Sequence, residues 1–224
     1  MRTLVYVDGF NLYFGCLKGA KDCRWLDVEA LAKHICKAQS PAAEVIGVKY
    51  FSAMITPRLS PRGVASVIAQ RDYWQALRAH STLLDIVEGA YFIVPGNYHL
   101  NEKPVDLNKR VRVLRPEEKQ TDVNIVLHML ADATDRLCEQ QVLFSNDSDC
   151  APALSMIRDR HPEMTLGTVA PVLETGKPRR PSVELTKYSS WTRETINRAE
   201  LEVSQLPDFV KSSKRHIRKP DHWK

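Results

Sequence analysis

Apolar residues recur along the chain in two distinct periods, and the switching between them predicts the architecture. Thr3–Val7, Val45–Phe51, Ile86–Tyr91, Val142–Phe144 and Thr165–Ala170 are short apolar runs rich in β-branched residues, the pattern of buried strands. Between them Asp27–Gln39, Gly63–His80, Asp122–Cys138 and Asp149–Arg160 carry helical spacing, with Val123, Val126, Leu127 and Leu130 along one stripe. This alternation predicts an α/β fold: a mainly parallel central sheet flanked by helices on both faces. Segments 52–62 and 92–120 hold Pro57, Pro61, Pro95, Gly96 and Pro104 and read as loops or hairpins inserted into that scheme. No repeat or low-complexity tract interrupts it.

Composition narrows the class without changing the fold. With 224 residues, 43% hydrophobic and 26% charged, the chain can bury a full core. No apolar run reaches the roughly 18 residues of a membrane-spanning helix, so no membrane partner is expected. The five cysteines (Cys16, Cys23, Cys36, Cys138, Cys150) are scattered without a CxxC pair, which indicates neither a disulfide framework nor a zinc knuckle. A reducing cytoplasm is the expected location. Net charge is +5, and residues 211–224 alone carry six cations against Asp221, a balance of the same size. Such a basic tail either draws phosphates or stands as a solvated end. The chain thus divides into a domain over 1–172 and a C-terminal extension over 173–224 with this tail. Within the extension, Thr175–Pro181 reads as an exposed basic loop and Thr192–Glu202 as a short helix.

In an open parallel sheet, ligands gather beyond the carboxyl ends of the strands. Asp8 follows the first apolar run, Asp147 and Asp149 follow Val142–Phe144, and Asp122 opens a helix near its positive end. Four carboxylates at one edge repel one another unless a cation joins them. An all-oxygen donor set suits Mg²⁺ or Mn²⁺, and a metal-bound water attacking a phosphodiester is the chemistry such a set predicts. Each acid taken alone also has a structural reading, Asp149 as a helix cap before Pro152 and Asp122 as a first-turn acid. Asp132, ten residues along the helix from Asp122, is roughly 15 Å away and cannot share its ion. Asp135, Glu139 and the pair Glu117–Glu118 are expected only as outlying or surface charges.

Three segments carry a family resemblance: Tyr6-Val7-Asp8-Gly9-Phe10-Asn11-Leu12, Glu118-Lys119-Gln120-Thr121-Asp122-Val123 and Ser145-Asn146-Asp147-Ser148-Asp149 resemble the signature blocks of the NYN domain, LabA-like members of the PIN-like nuclease superfamily. The resemblance spans about residues 1–172. It implies a PIN-like, Rossmannoid fold and a Mg²⁺- or Mn²⁺-dependent ribonuclease, with Asp8, Asp122, Asp147 and Asp149 as both catalytic and metal-binding acids. It further implies that Asn11 orients Asp8 or a metal-bound water, that Ser145 hydrogen-bonds near the acids, and that Lys119 meets the scissile phosphate. Asn146 stands where glycine is frequent and Cys150 where an aromatic is frequent; asparagine tolerates the left-handed turn such a glycine would make.

RNA, the expected partner, would need a track. Lys109–Arg115 offers one, with Arg110 and Arg112 on one face of a strand and Val111 and Val113 on the other. Phe10, Tyr13 and Phe14 are candidate stacking platforms. Two other functions stay open: a non-catalytic RNA-binding or regulatory NYN module, and a phosphohydrolase acting on a small ester. No GxGxxG follows a predicted strand, which disfavours a dinucleotide enzyme. Homo-oligomerisation is also open.

Overall fold

The computed structural model describes residues 1–175, 179–213 and 215–223. Six strands form one wholly parallel sheet: β1 (Arg2–Asp8), β2 (Glu44–Ser52), β3 (Leu84–Glu88), β6 (Gln140–Phe144), β7 (Thr165–Val169) and β8 (Trp191–Arg193), in spatial order β3-β2-β1-β6-β7-β8. Between β3 and β6 the chain leaves the sheet to make an antiparallel ribbon of β4 (Ala90–His99) and β5 (Arg110–Lys119). Among the described residues the α-helices are α1 (Gly9–Leu12), α2 (Val28–Gln39), α3 (Val64–His80), α4 (Thr121–Thr134), α5 (Ala151–Arg160), α6 (Val183–Tyr188) and α7 (Arg198–Val203).

Side-chain alternation along the central strands explains why helices must cover both faces. On β1, Val5 and Val7 join a core built with Leu31 and Ile35 of α2 and Trp74 and Leu77 of α3. Leu4 and Tyr6, pointing the other way, join Ile125 and Met129 of α4 with Leu154 and Ile157 of α5. A strand apolar on both faces can sit only in the middle of a sheet. The sheet turns in opposite directions from β1, to β2 and β3 on one side and to β6, β7 and β8 on the other. The space above the carboxyl ends of β1 and β6 is therefore the switch point where α/β folds bind ligands.

The predicted elements are altered at several places, each for a local reason. The run Ile86–Tyr91 is two strands, because the chain turns at Gly89 from β3 into β4. A Cβ at Gly89 would lie 2.5 Å from the Thr121 hydroxyl, so only glycine lets the ribbon root against α4. The helix expected to reach Cys138 ends at Thr134, and Arg136 follows in a left-handed conformation at φ 53°. Residues 192–202 form an edge strand, β8, and then α7, whose Asn197 and Glu200 cap it reciprocally.

The described residues beyond 172 are built into the body. They supply β8 to the sheet and Ile196, Leu201 and Leu206 to the core. The basic tail folds back as a hairpin of β9 (Phe209–Lys211) and β10 (His216–Arg218), burying Val210 and Ile217 against the body. Two of its cations find partners there: Arg215 binds Asp72 and Gln75, and Lys219 donates to the Asp22 carbonyl at 2.9 Å. Trp223 packs on Trp25 and Tyr73. Lys214 and Lys224 of the tail, and 176–178 of the expected basic loop, lie outside the described residues.

Candidate functional site

Asp8 ends β1 as a residue only 2% exposed, and local hydrogen bonds fix its side chain. Asn11 donates twice, from its backbone nitrogen at 2.9 Å and from Nδ2 at 2.6 Å, while Ser145 Oγ donates at 3.0 Å from the end of β6. The same Ser145 hydroxyl accepts from the Asp147 backbone at 3.1 Å, so one side chain ties β1 to the acid loop after β6. Asp147 in turn accepts from the Asp149 nitrogen at 3.0 Å. Gly9 permits this crowding: a Cβ there would lie 2.7 Å from the Tyr50 ring.

The electrostatics show that these acids share one field. Burial pushes the Asp8 carboxyl up, opposed by its hydrogen bonds and reinforced by Asp147. Asp122, on the first turn of α4, is raised to about 6 by burial and then by the charges of Asp8, Asp147 and Asp149. Glu118 is raised to about 7, chiefly by burial, with Asp8 and Asp122 adding and a Thr121 hydroxyl donor opposing. Glu118, expected on the surface, is thus a fifth member of the cluster. Tyr50 is a further member: its buried hydroxyl is raised by desolvation and by the Asp8 and Glu118 charges. The only signal the sequence holds for either is nearness, which does not place them. Tyr50 pairs with Val7 at the same sheet edge as Asp8, and Glu118 sits four residues before Asp122.

Of the residues expected at the site, Asp8, Asp122, Asp147, Asp149, Asn11 and Ser145 come together. The remaining three do not. Lys119 is exposed and pairs with Glu117 at 3.4 Å. Arg110 and Arg112 share a ribbon face with Glu118, as alternation required, but lie six to eight residues away, roughly 20–27 Å along the strand. The left-handed turn assigned to Asn146 occurs instead at Gln120, with φ 76° just before α4. Asn146 instead holds a neighbouring loop beside the acids, its amide donating to the Arg180 carbonyl at 3.1 Å and accepting from Ser182 at 2.6 Å. Asp132 is remote, as spacing predicted, and buried in its own network, accepting from Tyr6 at 2.7 Å and Lys49 at 2.6 Å.

The donor set is chemically suited to a hard cation, but among the described residues no three His, Cys, Asp or Glu side chains stand close enough to hold a metal ion. As it stands the site carries two carboxyl groups raised toward neutrality, Asp122 to about 6 and Glu118 to about 7, that can accept and release protons. An aromatic group borders it: Phe10 stacks on Tyr91 at 6.1 Å and on Phe14 at 6.2 Å. No helix of the described residues is long and apolar enough to cross a membrane.

Fold and site together define an α/β protein with a cluster of acids at the switch point of a parallel sheet. No protein-family model matches the chain. Over its whole length, however, it is 34% identical, across 241 aligned positions and 75% of the relative, to the 6-hydroxy-3-succinoylpyridine 3-monooxygenase HspA of Pseudomonas putida. The chain belongs to the family of that protein. Among solved structures, a protein of unknown function from Vibrio parahaemolyticus RIMD 2210633 aligns with TM-score 0.49 and 16% identity, over 88% of this chain and 93% of that one. So loose a likeness carries no argument.

This relationship corrects the expected activity. The assignment as a Mg²⁺- or Mn²⁺-dependent ribonuclease, and with it the hydrolase and nuclease class, is overturned by a whole-chain relative that is named as an oxidoreductase. The physical reason is that clustered carboxylates identify a place and not a reaction. Acids with pKa near 7 move protons as readily as they ligate cations.

Proposed function

We propose that this protein is an oxidoreductase that hydroxylates a hydroxylated aromatic N-heterocycle at the acid cluster. The observation that carries the reading is the pair of carboxyl groups raised to about 6 and about 7, Asp122 and Glu118, beside stacked aromatic rings. The whole-chain relative acts, by its name, at ring position 3 of a 6-hydroxypyridine, and position 3 is para to that hydroxyl. Removing the hydroxyl proton sends charge onto the para carbon, which then gives its electron pair to oxygen more readily. A carboxylate with pKa near neutrality suits that deprotonation. Dioxygen and a two-electron donor would supply the oxidising chemistry: one oxygen atom bonds to the para carbon and the other is reduced to water. Where that carbon carries an acyl group, as in 6-hydroxy-3-succinoylpyridine, the ring–acyl bond breaks and the acyl group is taken up by water as the carboxylic acid. The chain's own residues handle the ring and its proton: Glu118 and Asp122 as acceptors, Asn11 and Ser145 by fixing Asp8, and Phe10 and Tyr91 by holding a planar ring.

The test is oxygen uptake by purified protein with 6-hydroxy-3-succinoylpyridine, supplied with reduced nicotinamide or reduced flavin, and mass analysis under ¹⁸O₂. One labelled oxygen in the product supports the reading, with Glu118→Gln slowing turnover by ~10²-fold. No labelled product from any hydroxypyridine with either donor overturns it.

Divalent cation binding at Asp8, Asp122, Asp147 and Asp149 is a separate proposal, supported by the oxygen donor set; it requires those carboxylates to move closer. RNA contact without hydrolysis is another, favoured by the exposed ribbon with Arg110 and Arg112, and filter binding with both arginines changed to Gln tests it. The NYN-like blocks, in this reading, describe the frame of the site. A reducing cytoplasmic setting belongs to the same proposal, since all five cysteines are unpaired and buried.

A further inference from the structure

Immediately after α1 the chain makes a widened turn, residues 13–17, in which Lys18 N donates to Tyr13 O at 2.7 Å. Such turns carry one extra residue per turn and displace side chains outward. Gly15 lets the turn seat against the segment after β7: a Cβ there would lie 1.7 Å from the Pro171 carbonyl. The displaced side chains are aromatic and left in solvent, Phe14 at 58% exposure and Tyr13 at 37%.

These rings continue the stack that begins at the acids. Tyr91 meets Phe10, Phe10 meets Phe14, and Phe14 meets Tyr13 edge-on at 5.3 Å. At the outer end stand two cations. Lys18 Nζ lies 5.1 Å above the Phe14 ring, and the Arg24 guanidinium 5.5 Å above Tyr13. Arg24 is held there by bonds to the carbonyls of Leu17 at 3.0 Å and Lys18 at 2.9 Å. Among the described residues neither cation has a carboxylate within ion-pair distance, and nearby Asp22 is engaged by Arg198. The uncompensated charge is felt by His222, whose imidazole is lowered first by burial and then by Arg62 and Arg24. Exposed aromatic rings beneath unpaired cations are a poor choice for solubility and a good one for binding.

We propose that Phe10, Phe14 and Tyr13, with Lys18 and Arg24, form a subsite for a flat aromatic anion, its ring on the Phe14 face and its anionic group between the two cations. The gradient along the ladder, acids at one end and cations at the other, orients such a ligand. A ring hydroxyl points toward Glu118 and Asp122, and a carboxylate or phosphate points away from them. The subsite rests on the oxidoreductase reading only for which ligand fills it. An aromatic carboxylate substrate and a nucleotide phosphate share the recognised chemistry.

Calorimetric titration of the intact protein separates these cases without requiring turnover. The probes are 6-hydroxynicotinate, adenosine monophosphate, neutral 2-hydroxypyridine and a single-stranded RNA oligomer. The Lys18→Gln/Arg24→Gln double variant is expected to weaken binding of the anion about tenfold at low salt, and less at high salt. Phe14→Leu is expected to weaken it about fivefold without altering melting, since Phe14 is on the surface. The double variant also loses the Arg24 bonds to the turn and is therefore read against Lys18→Gln alone, which should leave melting unchanged and weaken binding of the anion in the same direction. The neutral ring should bind at least tenfold more weakly and ignore the charge variant. Whichever anion binds with this pattern names the source. Absence of binding by both anions, unchanged affinity in the variants, or binding by RNA alone overturns the subsite. The expected pattern without oxygen uptake retains the subsite and removes the oxidoreductase reading.

Discussion

Glu118 is the residue whose behaviour most directly measures the acid cluster. Its folded pKa is about 7 against an ordinary 4.5, so the folded protein holds a proton that the unfolded chain releases. By linkage, the stability this group contributes is fully present below about pH 4.5 and is lost as pH rises to about 7. Asp122, raised to about 6 from 3.8, acts in the same sense over a lower window. Glu118→Gln keeps an acceptor for the Thr121 hydroxyl and removes the charge. It should stabilise the protein at pH 8 by on the order of 1 kcal/mol, allowing for screening of a half-buried group, and leave it nearly unchanged at pH 5. Thermal melting at the two pH values checks this; an equal shift at both would mean that Glu118 is not charged in the cluster at pH 8. The same residue marks the limit of spacing arguments. Asp132 could be set aside because helix rise fixes its distance from Asp122, whereas Glu118 is brought in by the path of a ribbon that no periodicity describes.

Among the elements, the widened turn of residues 13–17 has the least tolerance for change. Gly15→Ala would drive a methyl group into the Pro171 carbonyl, which is backbone and cannot swing aside. The turn must shift, the Leu173 N–H to Gly15 O bond of 3.3 Å must break, and the aromatic ladder must lose its alignment. A loss of about 1–3 kcal/mol is expected, from overpacking at a buried contact. Denaturant melts measure it, and anion binding should fall with it. Gly19 has no atom within 4 Å of an added Cβ, so Gly19→Ala is the matched control and should cost little. If both variants melt alike, the contact with Pro171 does not constrain the turn. The β4–β5 ribbon is the contrasting element: regular along ten paired positions, yet largely solvent-exposed along its length, so its sequence says hairpin without saying where the hairpin lies.

For the molecule as a whole, the C-terminal segment covers part of the core that α2 and α3 build on one face of the sheet. Trp25 donates through Nε1 to the Pro207 carbonyl at 2.8 Å and packs under Trp223 and beside Tyr73. Trp223→Ala therefore strips cover from two buried aromatics. Its expected cost is roughly 2 kcal/mol, below that of a fully buried Trp because the ring is only partly covered, or a fall in melting temperature of about 4–8 °C for a chain of this size. A change within 1 °C would show that the tail rests on the body without supporting it. The tail's charge is likewise used at home: Arg215 and Lys219 are engaged by the body, so a count of cations along the sequence overstated what the segment offers to a phosphate.

What the sequence determined by itself is what depends on short-range periodicity: the apolar runs that become sheet strands, the helical stripes that cover them, and the strand ends that bring Asp8 beside the loop of Asp147. Hydrophobic burial reads one face at a time, so these follow from local pattern. Tertiary structure alone decided which other groups share the acids' field, because Glu118 and Tyr50 arrive from a ribbon and a neighbouring strand whose placement depends on close approach at Gly89 and Gly9. It also decided that the basic tail is part of the body, since Arg215 and its partner Asp72 lie 143 residues apart in sequence, and Trp223 and Trp25 further still. The reaction was legible in neither the spacing nor the charge of the acids: carboxylates brought together at a sheet edge acquire raised pKa values from burial and mutual repulsion whatever they act upon.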